Sequence, residues 1–195
     1  PIKELLKTKR IVLASGSPRR QELVRNIGLD VELCPSLFEE NLKLTDYAGF
    51  AEYVEETALQ KAIEVRSRLQ KSGKVDIVIS ADTMVTLDGK MFGKPETPDR
   101  AFEMLSQLIG RSHTVYTGVV VLHEDGVEKF TETAKVFFGK ATSEQIKAYI
   151  ATGEPMDKAG GYGIQGVGGT MIEKIEGDFF TVMGLPLYRL SCTMC

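Results

Sequence analysis

Cysteine is scarce in this chain and odd in number: Cys34, Cys192 and Cys195 among 195 residues. An odd set of so few thiols suits a reducing compartment, and a chain of this length, 43% hydrophobic, needs no disulfide or metal staple to hold a core. Cys192 and Cys195 have redox or zinc-ligand spacing, but no second Cys or His pair accompanies them, so they read as an uninvolved tail. An excess of positive charge is also missing. With 24 basic and 27 acidic side chains the net charge is −3, which excludes the global basic field of a protein that coats nucleic acid. Any anion binding must come from local clusters. No apolar run is long enough to span a bilayer, and Pro1-Ile-Lys-Glu-Leu-Leu-Lys7 holds neither a signal-peptide core nor a cleavage site. The expectation is a soluble cytoplasmic protein with no membrane and no nucleic-acid polymer as partner, folded as a single domain over residues 1–195.

What is present begins with Leu13-Ala-Ser-Gly-Ser-Pro-Arg-Arg20. Ile11 to Ala14 reads as a buried strand end, Ser17 as a helix N-cap and Pro18 as the first helical residue, where its missing N–H has no cost. Leu23, Val24 and Ile27 give the helix one apolar face, and Gly28 ends it. The positive end of such a helix, with Ser15, Ser17, Arg19 and Arg20 around it, is suited to a polyphosphate. It is also compatible with a capped surface helix carrying two solvated arginines. It is not a Walker A loop, because no Gly-Lys-Ser/Thr follows.

Further along, Tyr47, Phe50, Val54, Ala58, Ala62, Val65 and Leu69 recur at helical spacing up to Ser72-Gly73, with Lys61 near the middle. Asp76 to Ala81 has the composition of a central strand buried on both faces, which delivers Asp82-Thr83 at its C-terminal end, the edge where open α/β sheets bind ligands. Met84 to Leu87 and Lys90 to Phe92 form a hairpin about Asp88-Gly89, and Lys94 follows between Gly93 and Pro95. Thr97-Pro98 starts a helix that Gly110 stops, a second hairpin turns at Glu124-Asp125-Gly126, and Thr142-Ser-Glu-Gln145 is a capping box. Met171 to Ile175 reads as a strand, and Leu185-Pro186 opens a last helix.

Residues 153–169 hold seven glycines. So much backbone freedom belongs either to a mobile linker or to a binding loop. Because Glu154, Asp157, Lys158, Tyr162 and Gln165 are interspersed, the binding loop is the better reading. Gly161-Tyr-Gly-Ile-Gln-Gly166 matches a dinucleotide fingerprint by letter, but it has no strand before it and no helix after it, which removes an oxidoreductase reading.

Taken together, Ala14-Ser-Gly-Ser-Pro-Arg-Arg20, Glu40, Gln60-Lys-Ala62, Ser80-Ala-Asp-Thr83, Gly93-Lys-Pro95, His113 with Thr117-Gly118, residues 153–165 and Gly184-Leu-Pro186 resemble the Maf family of nucleotide pyrophosphatases. The resemblance implies an α/β fold with an elongated central mixed sheet flanked by helices, two lobes and a cleft, similar to the inosine-triphosphate pyrophosphatases. It implies hydrolysis of a nucleoside triphosphate between the α and β phosphates, and it suggests a homodimer. The Tyr162-Gly-Ile-Gln165 version of the loop is similar to the branch acting on dTTP and UTP. Asp82 would be the proton acceptor, while Arg19, Thr83 and Gln165 would tune base choice. Two departures are visible: Pro35-Ser-Leu-Phe-Glu39 is less acidic than the family's segment, and Thr181 stands where Asn is usual.

Anhydride hydrolysis needs charge neutralisation, a positioned water and a base. On this reading Arg19, Arg20, Lys61 and Lys94 screen the triphosphate, and Ser15, Ser17, Asp157 and Lys158 add substrate contacts. Asp82 and Glu40 hold Mg2+ or Mn2+, and the amide of Gln165 suits the edge of a uracil or thymine ring. Tyr162 either stacks on a ligand or packs. The alternative is a regulatory module that binds nucleotides without cleaving them.

Overall fold

The computed structural model describes residues 2–195. The chain runs α1 (Ile2–Leu5), β1 (Ile11–Leu13), α2 (Pro18–Asn26), β2 (Glu32–Leu33), α3 (Phe50–Leu69), β3 (Ile77–Leu87), β4 (Lys90–Phe92), α4 (Pro98–Leu108), β5 (Ser112–His123), β6 (Gly126–Phe138), α5 (Ser143–Ala151), β7 (Ile172–Gly177), α6 (Phe179–Met183) and α7 (Leu187–Thr193). The strands form one mixed seven-stranded sheet in the order β2-β1-β3-β5-β6-β7, with β4 paired to β3. Helices flank it, in keeping with the expected α/β class.

The chain divides into two compact units. One holds residues 1–82, 117–132 and 184–195; the other holds 83–116 and 133–183. In the first, β1 lies parallel to β2 and to the start of β3, with Leu13 opposite both Leu33 and Ile79. Val12, Val78 and Val120 from the sheet meet Ala58, Ala62 and Val65 of α3 in one buried cluster. Small residues on the helix allow this close seating, and Gly118 completes it, since a Cβ there would come within 2.7 Å of the Glu55 nitrogen. In the second unit, Met104, Leu105 and Leu108 of α4 and Ile146 and Tyr149 of α5 pack with Val85, Val115 and Val136.

One boundary differs from the sequence reading. Asp82 is not at the end of a strand, because β3 continues unbroken to Leu87. The reason lies in its neighbours. β1 stops opposite Ile79, and β4 begins its antiparallel pairing only at Val85. Asp82 therefore occupies an interval of β3 where that edge has neither partner, so the backbone can stay extended while its side chain meets other groups. The Asp88-Gly89 turn is as expected, with φ of 52° and 71°, the left-handed pair a tight hairpin requires. α1 and α6 were not legible in the sequence.

Candidate active site

The β1 to α2 junction supplies the first component. Pro18 sits in the first turn of α2 with Ser17 as cap residue, but the Ser17 hydroxyl makes no capping bond. Instead the Ser17 N–H donates to Ser15 Oγ at 3.1 Å, so the buried Ser15 shapes the turn, and Pro18 already presets the helix without help from a cap. Arg19 and Arg20 are half-buried in the first turn. The Arg20 Nε donates to the Gly184 carbonyl at 2.7 Å, which fixes the guanidinium by a bond across 164 residues of sequence. Loss of water pushes the Arg20 pKa down to about 10, against the pull of Asp82, with Arg19 lowering it and Glu40 raising it. Arg20 remains a cation at neutral pH.

α3 supplies the second component. Lys61 lies within the buried stripe Val54, Thr57, Ala58, Ala62 and Val65, four positions from Thr57 and from Val65, so its side chain is directed toward the sheet rather than into solvent. Its ammonium lies 2.9 Å from Asp82 Oδ1 and 2.6 Å from Glu40 Oε1, and both Lys61 and Asp82 side chains are about 15% exposed. Burial raises the Asp82 carboxyl above the ordinary carboxylate range; Lys61 pulls it back, Glu40 adds to the rise and Arg20 opposes it. The Tyr53 phenol, also on α3, is raised by burial and by the same two carboxylates.

Glu40 comes from a segment without regular structure, and α3 pins that segment. Glu64 accepts from Ser36 Oγ at 3.0 Å and from the Leu37 N–H at 2.9 Å. Arg68 donates to Glu64 at 2.8 Å and to the Pro35 carbonyl at 2.8 Å. Tyr53 Oη donates to the Leu42 carbonyl on the far side of Glu40. One helix face thus carries Lys61 and holds the strap that presents Glu40. The spacing of Glu64 and Arg68 to Lys61 was the available signal in the sequence, but nothing there said what they would grip.

Ser15, Ser17, Arg19, Arg20, Glu40, Lys61 and Asp82 all belong to the first unit, and Arg20, Glu40, Lys61 and Asp82 are brought together electrostatically and by ion pairs. Thr83, Lys94, Asp157, Lys158 and Gln165 belong to the second unit. There, Lys94 is exposed on its loop, and the preceding Gly93 carbonyl accepts the Gly160 N–H at 3.1 Å, which ties that loop to the glycine-rich segment. Lys158 Nζ is engaged inside the segment, donating to the Glu154 carbonyl and to Asp157 Oδ1, both at 2.8 Å. Gln165 is exposed and Thr83 half-buried. Tyr162 packs: it is 5% exposed, its Oη lies 2.6 Å from His113 Nε2, and its ring meets Phe138 edge-on at 4.9 Å. Gly161 to Gly166 is a run of short turns with no flanking strand and helix of the dinucleotide type.

Residues 10–194 match the family model described as Maf-like protein. The chain belongs to the Maf-like family. Among its relatives is a human protein named "Probable bifunctional dTTP/UTP pyrophosphatase/methyltransferase protein", 47% identical over 197 residues; the alignment covers 96% of this chain but 32% of that protein. A protein of Clostridium botulinum (strain Alaska E43 / Type E3) named dTTP/UTP pyrophosphatase is 44% identical over 184 residues, which is 93% of this Maf-like chain and 96% of the relative. Among solved structures, the Staphylococcus aureus Ham1 protein aligns with a TM-score of 0.44 and 17% identity over 67% of this chain and 72% of that one. No helix among the described residues is long and apolar enough to cross a membrane.

Proposed function

We propose that this Maf-like chain is a nucleoside triphosphate pyrophosphatase that hydrolyses the α–β anhydride of dTTP and UTP to the monophosphate and pyrophosphate. The observation that carries the reading is the Arg20, Lys61, Asp82 and Glu40 cluster, two cations and two carboxylates held at one place by groups remote in sequence. In the forward step a water oxygen bonds to the α phosphorus, the bridging oxygen leaves with pyrophosphate carrying the bond's electron pair, and the water proton passes to the Asp82 carboxylate. A carboxyl raised by burial is a stronger base than a solvated one. Arg20 and Lys61 neutralise charge on the phosphates, the guanidinium by paired hydrogen bonds, with Arg19 and Lys94 as further phosphate contacts.

The donor set fits a hard divalent cation. Asp82 Oδ1 and Glu40 Oε1 share one ammonium, so both oxygens reach a single cation. Asp82 and Glu40 would hold Mg2+ or Mn2+, hard cations whose remaining ligands are phosphate oxygens and water. When bound, such an ion supplies charge stabilisation on the phosphate oxygens. Arg19, Thr83 and Gln165 are the residues proposed to select the base.

The test is a panel of UTP, dTTP, CTP, GTP and ATP with Mg2+ or Mn2+, scored for pyrophosphate against orthophosphate. The expected result is UMP and dTMP with pyrophosphate. Release of orthophosphate would overturn the bond assignment, and tight nucleotide binding with no cleavage would show a regulatory module instead.

A further inference from the structure

Gln165 is exposed at the crest of a segment that should be hard to hold still, since Gly163, Gly166, Gly168 and Gly169 surround it. Two side chains below it do the holding. Tyr149 of α5, 4% exposed, accepts the Gly163 N–H on its hydroxyl at 3.1 Å and donates that hydroxyl to Glu154. The Glu154 carboxylate in turn accepts the N–H groups of Val167 and Gly168, both at 2.9 Å. A hydroxyl and a carboxylate therefore bridge residue 163 to residues 167 and 168, with Gln165 between the two ends.

The glycines are explained by this bridge. A Cβ at Gly166 would collide with Glu154 Oε1, and one at Gly168 would come within 2.7 Å of the Gly163 carbonyl. The backbone folds around the two polar groups so tightly that no side chain is admitted at either position. Burial alone would raise the Glu154 carboxyl, but the bonds from Tyr149, Gly168 and Val167 outweigh it, and the carboxyl lies below its ordinary range. The ionised acceptor form is the one the loop requires.

We propose that Tyr149 and Glu154 are positioning residues for base selection: by clamping both ends of residues 163–168 they fix the direction in which the Gln165 amide is presented to the pyrimidine ring. The inference rests on the pyrophosphatase reading above and on Gln165 as the group that contacts the base. Tyr149 and Glu154 touch no reacting atom.

The test compares Tyr149→Phe, which keeps the ring in the core and removes only the hydroxyl, Glu154→Gln, which keeps the shape and removes the charge, and Gln165→Ala. In the free protein, amide exchange at Gly163, Val167 and Gly168 is expected to quicken by about tenfold in the first two variants. The ratio of kcat/KM for UTP to that for GTP should fall by roughly tenfold in all three, the loss for UTP falling on KM more than on kcat. Adding Glu154→Gln to Gln165→Ala should lower the ratio no further, because nothing remains to be positioned. Faster exchange with an unchanged ratio in Tyr149→Phe and Glu154→Gln, while Gln165→Ala alters it, would overturn the positioning role and leave the pyrophosphatase reading standing. An unchanged ratio in Gln165→Ala would overturn the positioning role by removing its object. A wild-type protein that cleaves no triphosphate would overturn both.

Discussion

The two units hold their functional groups by opposite means. In the first, the groups proposed to do the chemistry also hold each other: Lys61 neutralises Asp82 and Glu40, and Arg20 feels both carboxylates. In the second, the exposed Gln165 sits on a loop held by polar side chains bonded to backbone, Tyr149 and Glu154, while the Lys94 loop is tied to the same segment through the Gly93 carbonyl and Tyr162 bonds the His113 ring. A change in the first unit therefore alters charge balance and chemistry together, whereas a change beneath the loop alters presentation and leaves the charges in place.

The largest effect that sharpens this contrast is expected for Lys61→Met. It strands the buried Asp82 carboxylate beside Glu40, and loss of one partner of a buried pair costs about 3 kcal/mol. Chemical denaturation should show that loss, and the double variant Lys61→Met/Asp82→Asn should recover most of it while remaining inactive. A double variant no more stable than Lys61→Met would mean that the carboxylates do not depend on Lys61.

Next comes His113 in the second unit. Burial pushes its pKa down to about 4, from about 6.5 when exposed. Between those values the unfolded chain binds a proton that the folded chain refuses, so stability is lost as pH falls from about 6.5 to 4 and levels off below, by about 3 kcal/mol at most. Urea denaturation of the wild type and of His113→Asn across that range measures it; equal slopes in the two proteins would remove His113 from the scaffold's pH dependence.

A smaller effect is expected for Glu64→Ala, which releases the strap bearing Glu40 without touching the charged cluster. Turnover should fall by about tenfold, with little change in Arg20 or Lys61 function, and raised metal concentration should restore part of it. Full activity in this variant would show that Glu40 needs no such support. The smallest is Ser17→Ala, whose hydroxyl caps nothing in this structure. It should change stability by less than about 0.5 kcal/mol, whereas Thr97→Ala, which removes a formed cap to the Arg100 N–H, should cost about 1 kcal/mol. Equal losses in the two would contradict the cap assignment.

Local chemistry was readable from the residues. The Pro18 start of α2, the Asp88-Gly89 turn and the Thr142 to Gln145 capping box all involve groups within four positions of each other, and all formed, although Ser17 makes no capping bond. What failed to show is what depends on distant chain. Residues 76–87 contain nothing that states where β1 ends, so the unbroken run of β3 through Asp82 could not be inferred. Lys61 has the helical position of a buried-face residue, four positions from Thr57 and from Val65, but only the strap of residues 35–43 and β3 give it partners. α6, five residues long, is the exception, because its cue is local: the Asp178 carboxylate just before the helix accepts both the N–H and the hydroxyl of Thr181, three positions on. The same pair of bonds accounts for a buried threonine at that position. The meaning of the glycines was legible only as a choice between linker and loop, because the side chains that fill their space, Tyr149 and Glu154, lie outside the run or at its margin.

The most direct test of the central claim is to measure UTP binding and UTP cleavage in the same preparation of Asp82→Asn, with wild type alongside. Since Asp82 is assigned to the water and not to holding the base, UTP should still bind within about tenfold of wild type while release of UMP and pyrophosphate falls by about a thousandfold or more. Comparable turnover in Asp82→Asn would contradict the account.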